Sequence, residues 1–444
     1  MKILLINPPY FRAAEFPPIG LLYIAAVLLK EKHDVKIIDL DNSSLKQKLN
    51  FDDYDIVGIS TLTFAYDKIL KIAKLAKKHN KIVVAGGWHA TFEDEEMLKT
   101  GLFDFIIRGE GEITFLKLIK ALEENKEPHF KGISYIKEGK IVRTDISDPI
   151  EDLDSLPFPA RHLLPPNKYK KIKGEIFTPL IATRGCRFNC KFCATPAMRK
   201  RKWFHRSVEN IIKEMLDVEE NFKIRGFALL DENFMQDEKW VYHFCESLSK
   251  YKKKFLWMCQ ARFDVLAKNK ELVKMMAKAG CVMIHIGFES PFQKSIDFLS
   301  KGERVNQIKT AVKNCKEAGI DIIGSFMLGI PTESRWDAKN LITFARNLDI
   351  DVAWFQILTP FPGTKLCKEL NIVTKKYKFY ELWHLVFRHP YMSNAFARWL
   401  IFFAVTSFYI SRIKKVIYRI FKKKISYTSF IAFLKKAFRY LFTF

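Results

Sequence analysis

Residues 2–7, 35–40, 56–60, 81–85 and 103–107 are short apolar runs rich in β-branched side chains. Between them, residues 20–32, 65–79, 93–99 and 114–123 repeat apolar positions three or four apart. The runs predict buried strands, and the wider spacing predicts helices with one apolar face. Their alternation predicts a doubly wound parallel α/β sheet, whose ligands bind beyond the carboxyl ends of the strands. Residues 132–144 read as a hairpin turning at Lys137-Glu-Gly-Lys140. Residues 147–161 carry Pro149, Pro157, Pro159 and several acids, and predict a linker. A first domain over 1–146 and a linker over 147–170 follow.

A second alternating series begins there. Strands are predicted at 179–184, 226–230, 256–260, 282–287, 321–327 and 352–358, with helices at 207–221, 272–279, 306–318 and 334–347. Six β/α units fit a partial (β/α)6 barrel over 171–370. Barrel active sites lie on the loops at the carboxyl ends of the strands. Residues 371–444 are expected to form a basic, aromatic, helical tail. Residues 399–411 form an uncharged aromatic-rich stretch that as a helix would reach about 20 Å, short of the ~30 Å bilayer core.

Composition sharpens the second half of this picture. The chain has 444 residues, 48% hydrophobic and 28% charged, which excludes wholesale disorder and small disulfide scaffolds. Lys and Arg number 74 against 49 acids, a net charge of +25. From Asn394 to Phe444 there are eleven Lys/Arg and no acid. Basic and aromatic residues interleaved there predict helices lying on an anionic membrane surface, apolar face down. The competing reading is a helical cap on the barrel with a solvated basic face. No nucleic-acid module accompanies the charge, so no specific nucleic-acid partner is expected. Met1–Pro9 reads as a strand and a prolyl turn, not a cleavable apolar helix, which predicts a reducing, cytoplasmic compartment, with peripheral placement at the inner face of the membrane.

Of eight cysteines, three fall in Thr183-Arg-Gly-Cys186-Arg-Phe-Asn-Cys190-Lys-Phe-Cys193, just after the first barrel strand. Three thiolates at C-x3-C-x2-C spacing can hold one face of a [4Fe–4S] cluster and leave one iron open for chemistry. A zinc knuckle completed by His205 is the alternative. The other five cysteines read as core filling.

The triad, with Phe192 in its aromatic position, resembles the radical S-adenosylmethionine (SAM) superfamily. The resemblance implies that the open iron chelates SAM and that reductive cleavage yields a 5′-deoxyadenosyl radical. Later strand ends are similar to the same family. Asp231-Glu232-Asn233 ends the second barrel strand and implies contacts to the SAM amino group; helix capping is the alternative. Arg262 ends the third strand, as a carboxylate partner or a surface ion pair. Gly287-Phe-Glu289-Ser290 ends the fourth, with Glu289 implied at the ribose or in a buried ion pair. Gly324–Glu333 and Thr359–Thr364 resemble the family's loops near SAM.

The first domain is similar to the cobalamin-binding class of that superfamily. Ser60-Thr61-Leu62 and Gly86-Gly87 stand at the class's intervals, and Pro17 occupies the position of its cobalt-ligating histidine. The resemblance implies room for the corrinoid tail at Gly86 and Gly87 and hydrogen bonds from Ser60 and Thr61. His89, Glu110 and Gly111 are further implied contacts. An empty domain acting as a lid is the alternative.

Together these readings predict a cobalamin-dependent radical SAM methyltransferase acting on an unactivated carbon of a hydrophobic, lipid- or isoprenoid-like substrate, supplied by a low-potential electron donor. Methyl-free ring formation or oxidation of a tetrapyrrole or lipid is the second reading. A cobalamin or iron–sulfur sensor with a partner-docking tail is the third.

Overall fold

The computed structural model describes residues 1–10, 16–41, 49–164, 169, 171–172, 174–251 and 253–412. The first domain holds β1 (Lys2–Asn7), β2 (Asp34–Asp39), β3 (Ile56–Thr61), β4 (Ile82–Gly87), β5 (Phe105–Ile107), β6 (Ile133–Lys137) and β7 (Lys140–Arg143), in the order β2-β1-β3-β4-β5-β6-β7. The first five strands are parallel, and the β6–β7 hairpin closes the edge antiparallel. The chain moves from β1 to one side and returns to the other at β3. That places a switch-point crevice between β1 and β3, where doubly wound sheets take ligands. Both faces are covered, as the continuous apolar runs require. Leu4 and Ile6 enter the core beneath the helix Tyr66–Lys78, while Ile3 and Leu5 enter the core beneath the helices Ile19–Lys30 and Gly111–Glu123.

The second domain opens with β8 (Lys171–Ile172) and β9 (Glu175–Leu180). A two-stranded ribbon follows, β10 (Thr183–Gly185) against β11 (Trp203–His205). Then come β12 (Gly226–Leu229), β13 (Leu256–Ala261), β14 (Cys281–Glu289), β15 (Asp321–Leu328) and β16 (Val352–Ile357). The sheet runs β16-β15-β14-β13-β12-β9-β8, with the six main strands parallel in chain order. This is a half-barrel. Cys259, Ile284, Ile322, Ala353 and Phe355 join the helix-side core, so Met258, Met283, His285, Ile323 and Trp354 lie on the concave face.

The proline-rich segment expected as a linker is packed. Leu153, Leu156, Ala160 and Arg161 are buried. The Ala160 amide donates to the Leu22 carbonyl of the first domain at 3.1 Å. Arg161 donates to the Pro179 carbonyl at 2.7 Å and pairs with Glu214 at 2.6 Å under β9. Arg206 pairs with the other Glu214 oxygen. Burial opposes ionisation of Glu214, yet the two guanidiniums hold its pKa below the ordinary carboxylate value.

The tail departs from an all-helical expectation. Ile372 bridges Phe387, and Tyr377, Tyr380 and Val386 enter the first domain's core, so this part straps the two domains together. Asn394–Ile410 is helical, capped by the Ser393 hydroxyl accepting from the Phe396 amide at 3.2 Å. Ala397, Leu400, Ile401, Ala404 and Phe408 sink into the barrel core. That helix is therefore a cap on the barrel. The basic stretch 413–444, on which much of the membrane reading fell, lies outside the described residues. Among the described residues no helix is long and apolar enough to cross a membrane.

Candidate active site

The cysteine loop hangs from the β10–β11 ribbon. Gly185, immediately before Cys186, has φ +92°, and a Cβ there would stand 2.1 Å from the Lys202 carbonyl oxygen. Only glycine lets the ribbon close at this point. The loop is pinned from three sides. The Lys191 amide donates to the Leu299 carbonyl at 2.9 Å, the Leu366 amide donates to the Lys191 carbonyl at 3.1 Å, and the Arg187 amide donates to Gln236 Oε1 at 3.1 Å.

All three thiols are half-buried. Burial raises each pKa, Cys190 to about 12, and the neighbouring thiols add to the rise at Cys186 and Cys190. Arg262 and Lys301 act in the opposite sense on Cys190. Three mutually repelling thiolates on one loop beside two cations suit a multinuclear iron–sulfur cluster, whose positive irons offset that repulsion. His205, the zinc alternative's fourth ligand, turns its Nδ1 to the Arg206 carbonyl and packs its ring between Trp203 and Trp240. Phe192 packs against the barrel core.

Asp231 and Glu232 both brace the cysteine loop. Asp231 Oδ1 accepts from the Ala182 and Thr183 amides at 2.8 and 3.0 Å, and burial raises its pKa to about 7. Its Oδ2 is buried without a hydrogen-bond partner. Glu232 Oε2 accepts from the Gly185 amide at 3.0 Å, and its Oε1 accepts from Arg199 Nε at 3.0 Å. Arg262 lies 3.6 Å over the Phe188 ring and pairs with Asp264 at 3.2 Å. Glu289 adopts φ +58° and pairs with buried Lys301 at 3.0 Å, and its Oε2 is left bare. Ser290 is fully buried and donates to Glu333 Oε1 at 2.6 Å. Glu333 also accepts from Ser295, and burial raises its pKa to about 7. Buried carboxylate oxygens still lacking a donor mark a polar pocket that the chain alone does not satisfy.

On the first domain, Ser60, Leu62, Gly86 and Gly87 are half-buried at the carboxyl ends of β3 and β4. Thr61 is spent internally. Its hydroxyl donates to the Gly86 carbonyl at 2.9 Å and accepts from the Ala90 amide at 2.9 Å. The two glycines differ. A Cβ on Gly87 (φ +105°) would meet the Thr61 carbonyl at 2.9 Å, whereas one on Gly86 would meet nothing nearer than Ile107 at 3.7 Å. Packing demands Gly87; at Gly86 the missing side chain leaves open space on the ledge, which fits a ligand lying there.

His89 is not on that ledge's surface. It is 1% exposed, wedged between the rings of Tyr66 and Tyr377 at 4.6 and 4.7 Å, with Nδ1 3.3 Å from the Thr63 hydroxyl. Burial lowers its pKa to about 4. Glu110 is likewise committed. It pairs with Arg184 at 3.3 Å and with Arg199, and accepts from the Ile150 amide. Arg184 also pairs with Glu112 at 2.7 Å. Gly111 begins the next helix, where a Cβ would meet Ile24 at 3.0 Å. The Arg-Gly-Glu-Gly-Glu stretch thus fastens the cysteine loop to the first domain. Phe92 meanwhile abuts Gly363 in the loop after β16, which has no room for a Cβ. Through these contacts the carboxyl edges of both sheets face each other.

Sequence reading missed Arg199, Lys301 and Tyr377. Each works through partners 12 to 281 residues away, a relation invisible to local spacing.

Residues 180–345 match the Radical SAM superfamily, and residues 12–119 match the B12 binding domain. An uncharacterized methyltransferase of Pyrococcus horikoshii is 36% identical over 381 residues, 82% of each chain. The anaerobic magnesium-protoporphyrin IX monomethyl ester cyclase of Rubrivivax gelatinosus is 29% identical over 400 residues, covering 85% of this chain and 72% of its own. Among solved structures, the radical SAM methyltransferase TsrM of Kitasatospora setae, with cobalamin and a [4Fe–4S] cluster bound, superposes with a TM-score of 0.69 at 16% identity, over 83% of this chain and 78% of that one.

Proposed function

The chain belongs to the radical SAM enzymes that carry a B12-binding domain, and from that premise we propose that it methylates an unactivated carbon of a hydrophobic small molecule, working at a membrane surface. The observation that carries this reading is the opposition of the two carboxyl edges through Glu110, Arg184 and Arg199. A reaction that uses both cofactors on one substrate requires the cysteine loop and the glycine ledge to share one interdomain space, and these contacts support that reading. When bound, the cluster with SAM supplies a 5′-deoxyadenosyl radical and cobalamin supplies the methyl group.

The chain's own residues position and shield. Cys186, Cys190 and Cys193 would hold the cluster. Glu232 and Asp231 keep the loop in place through its backbone amides. Arg262 and the bare oxygen of Glu289 would meet the polar ends of SAM. Ser60 and the Gly86 ledge would receive the corrinoid tail. Pro17 leaves no imidazole at the position of the class's cobalt-ligating histidine. The concave barrel wall sets Met258, Met283, Ile323 and Trp354 beside the polar pair His285 and Ser325, with Gln260 and Gln356 at the next positions of the same strand faces, which suits a largely apolar substrate that carries a few hydrogen-bonding groups.

The test is made on protein produced anaerobically with cobalamin supplied. Corrin and iron are assayed per chain, then methyl-labelled SAM is offered with hydrophobic acceptors. About one corrin and one cluster per chain, with label on carbon, is expected. Four irons without corrin would defeat the methyl-transfer reading. The 29% relative named as a cyclase favours a second reading, methyl-free oxidation or ring formation on a tetrapyrrole. It predicts SAM cleavage with no label in the product.

A further inference from the structure

The helix Asn394–Ile410 buries one face in the barrel and leaves the other bare. Trp399 is 45% exposed, Phe403 37% and Ile410 67%, at the i, i+4, i+11 spacing of one helical stripe. The rings form a continuous row: Phe396 stacks on Trp399 at 5.6 Å, and Trp399 stacks on Phe403 at 5.2 Å and 7°. The row continues onto neighbouring elements. The Arg335 guanidinium lies 4.9 Å over the Phe396 ring and donates to the Tyr391 carbonyl at 2.8 Å. Tyr391 is 54% exposed, and Trp336, next to Arg335, is 69% exposed. Arg335 thus ties the exposed Tyr391 segment to the aromatic row of the helix, with the exposed Trp336 beside it in the chain.

We propose that this face docks the enzyme on an anionic lipid surface. Exposed Trp and Tyr beside Phe are the residues that settle at the headgroup level of a bilayer, apolar body inward and polar atom outward. Charge selects the occupant. The helix begins a stretch of 51 residues with eleven Lys/Arg and no acid, and a surface rich in acidic lipid is complementary to it. A second copy of this chain carries the same positive charge, which favours the acidic lipid as the occupant. The helix is too short to span and lies flat against the barrel, so the attachment is peripheral. The inference rests on the membrane placement in the proposed function and deepens it, naming the face that attaches and the charge of the lipid it meets. Membrane attachment and methyl transfer are read by different assays, so either can fail alone.

The experiment uses the full chain with its cofactors and sedimentation with vesicles of phosphatidylcholine, alone or mixed with phosphatidylglycerol. Binding to the mixed vesicles is expected, weakening with added salt and much lower on phosphatidylcholine alone. The double variant Trp399→Gln, Phe403→Gln keeps the buried face intact. It should keep the thermal midpoint and cofactor content and partition about tenfold or more weakly. A wild type that stays in the supernatant overturns the proposal. So does a double variant that binds as well as wild type. A concentration-dependent dimer that the double variant dissolves, without vesicle binding, would assign the face to a second copy instead and equally overturn it.

Discussion

Gly185→Ala is the sharpest test of how the cysteine loop is held. The new Cβ would lie 2.1 Å from the Lys202 carbonyl oxygen, a backbone atom that cannot swing aside. At φ +92° an alanine also carries backbone strain of roughly 1–3 kcal/mol. Relieving the clash means separating β10 from β11, which costs the amide bond from Gly185 to Glu232, roughly 1.5–3 kcal/mol for a charged acceptor. The sum, about 2.5–6 kcal/mol, is small enough against a domain stability of ~5–15 kcal/mol that the ribbon opens locally before the barrel unfolds. The expected result is a folded protein with ordinary corrin content that has lost most of its iron, sulfide and SAM cleavage. Gly101→Ala is the control. Gly101 has φ +68° with nothing within 4 Å, so that variant bears strain without a clash and should keep its cluster. If Gly185→Ala retains a full cluster and normal 5′-deoxyadenosine formation, the ribbon does not position the loop and the reasoning fails.

Two further outcomes follow from the interdomain contacts. Arg199 joins Glu232 of the barrel to Glu110 of the first domain, so Arg199→Met should cost about 1.5–3 kcal/mol by removing a charged hydrogen-bond donor from both, Glu110 keeping Arg184; it should spare 5′-deoxyadenosine formation while lowering methyl transfer, and an unchanged ratio of the two products would remove the arginine from interdomain positioning. His89 has its pKa lowered by burial to about 4, so the unfolded chain binds the extra proton first and the contribution of His89 to stability falls as pH drops from about 6.5 towards 4, by about 3 kcal/mol in all, against the opposite contribution of Asp231 and Glu333; His89→Phe, packed between the same two tyrosines, should remove that part of the fall from a urea-midpoint profile, and a variant with the wild-type slope would refute the assignment to His89.

The packed helix Asn394–Ile410 also decides how the tail can be studied. Leu400, Ile401 and Phe408 are almost wholly buried, each worth roughly 1.5–3 kcal/mol of apolar burial. Cutting the chain before Asn394 would expose the barrel core. Substitutions on the bare stripe separate attachment from folding where truncation does not.

The order of elements was written in the sequence. Apolar runs of strand length, separated by helical spacing, set both parallel sheets, because burying both faces of a strand leaves no other pattern. The cysteine triad was equally legible, since three ligands on one short loop need no distant partner. Their intervals singled out Ser60 and Gly86, which lie half-buried at the carboxyl ends of β3 and β4. What spacing could not decide was whether a residue's bonding capacity is already used. Asp231, Thr61, His89 and Glu110 carry the right chemistry for ligand contacts, yet their bonds go largely to the chain itself, to amides, rings and arginines far away in sequence. Gly87 looked like room for a ligand and turned out to be room for Thr61. Lys301, Arg199 and Tyr377 were unremarkable in the sequence and became central once folding brought them to Glu289, Glu232 and His89. Local order follows from each residue's own neighbours and period. The allocation of buried charge and hydrogen bonds depends on which strands and loops meet, and only the tertiary structure fixes that.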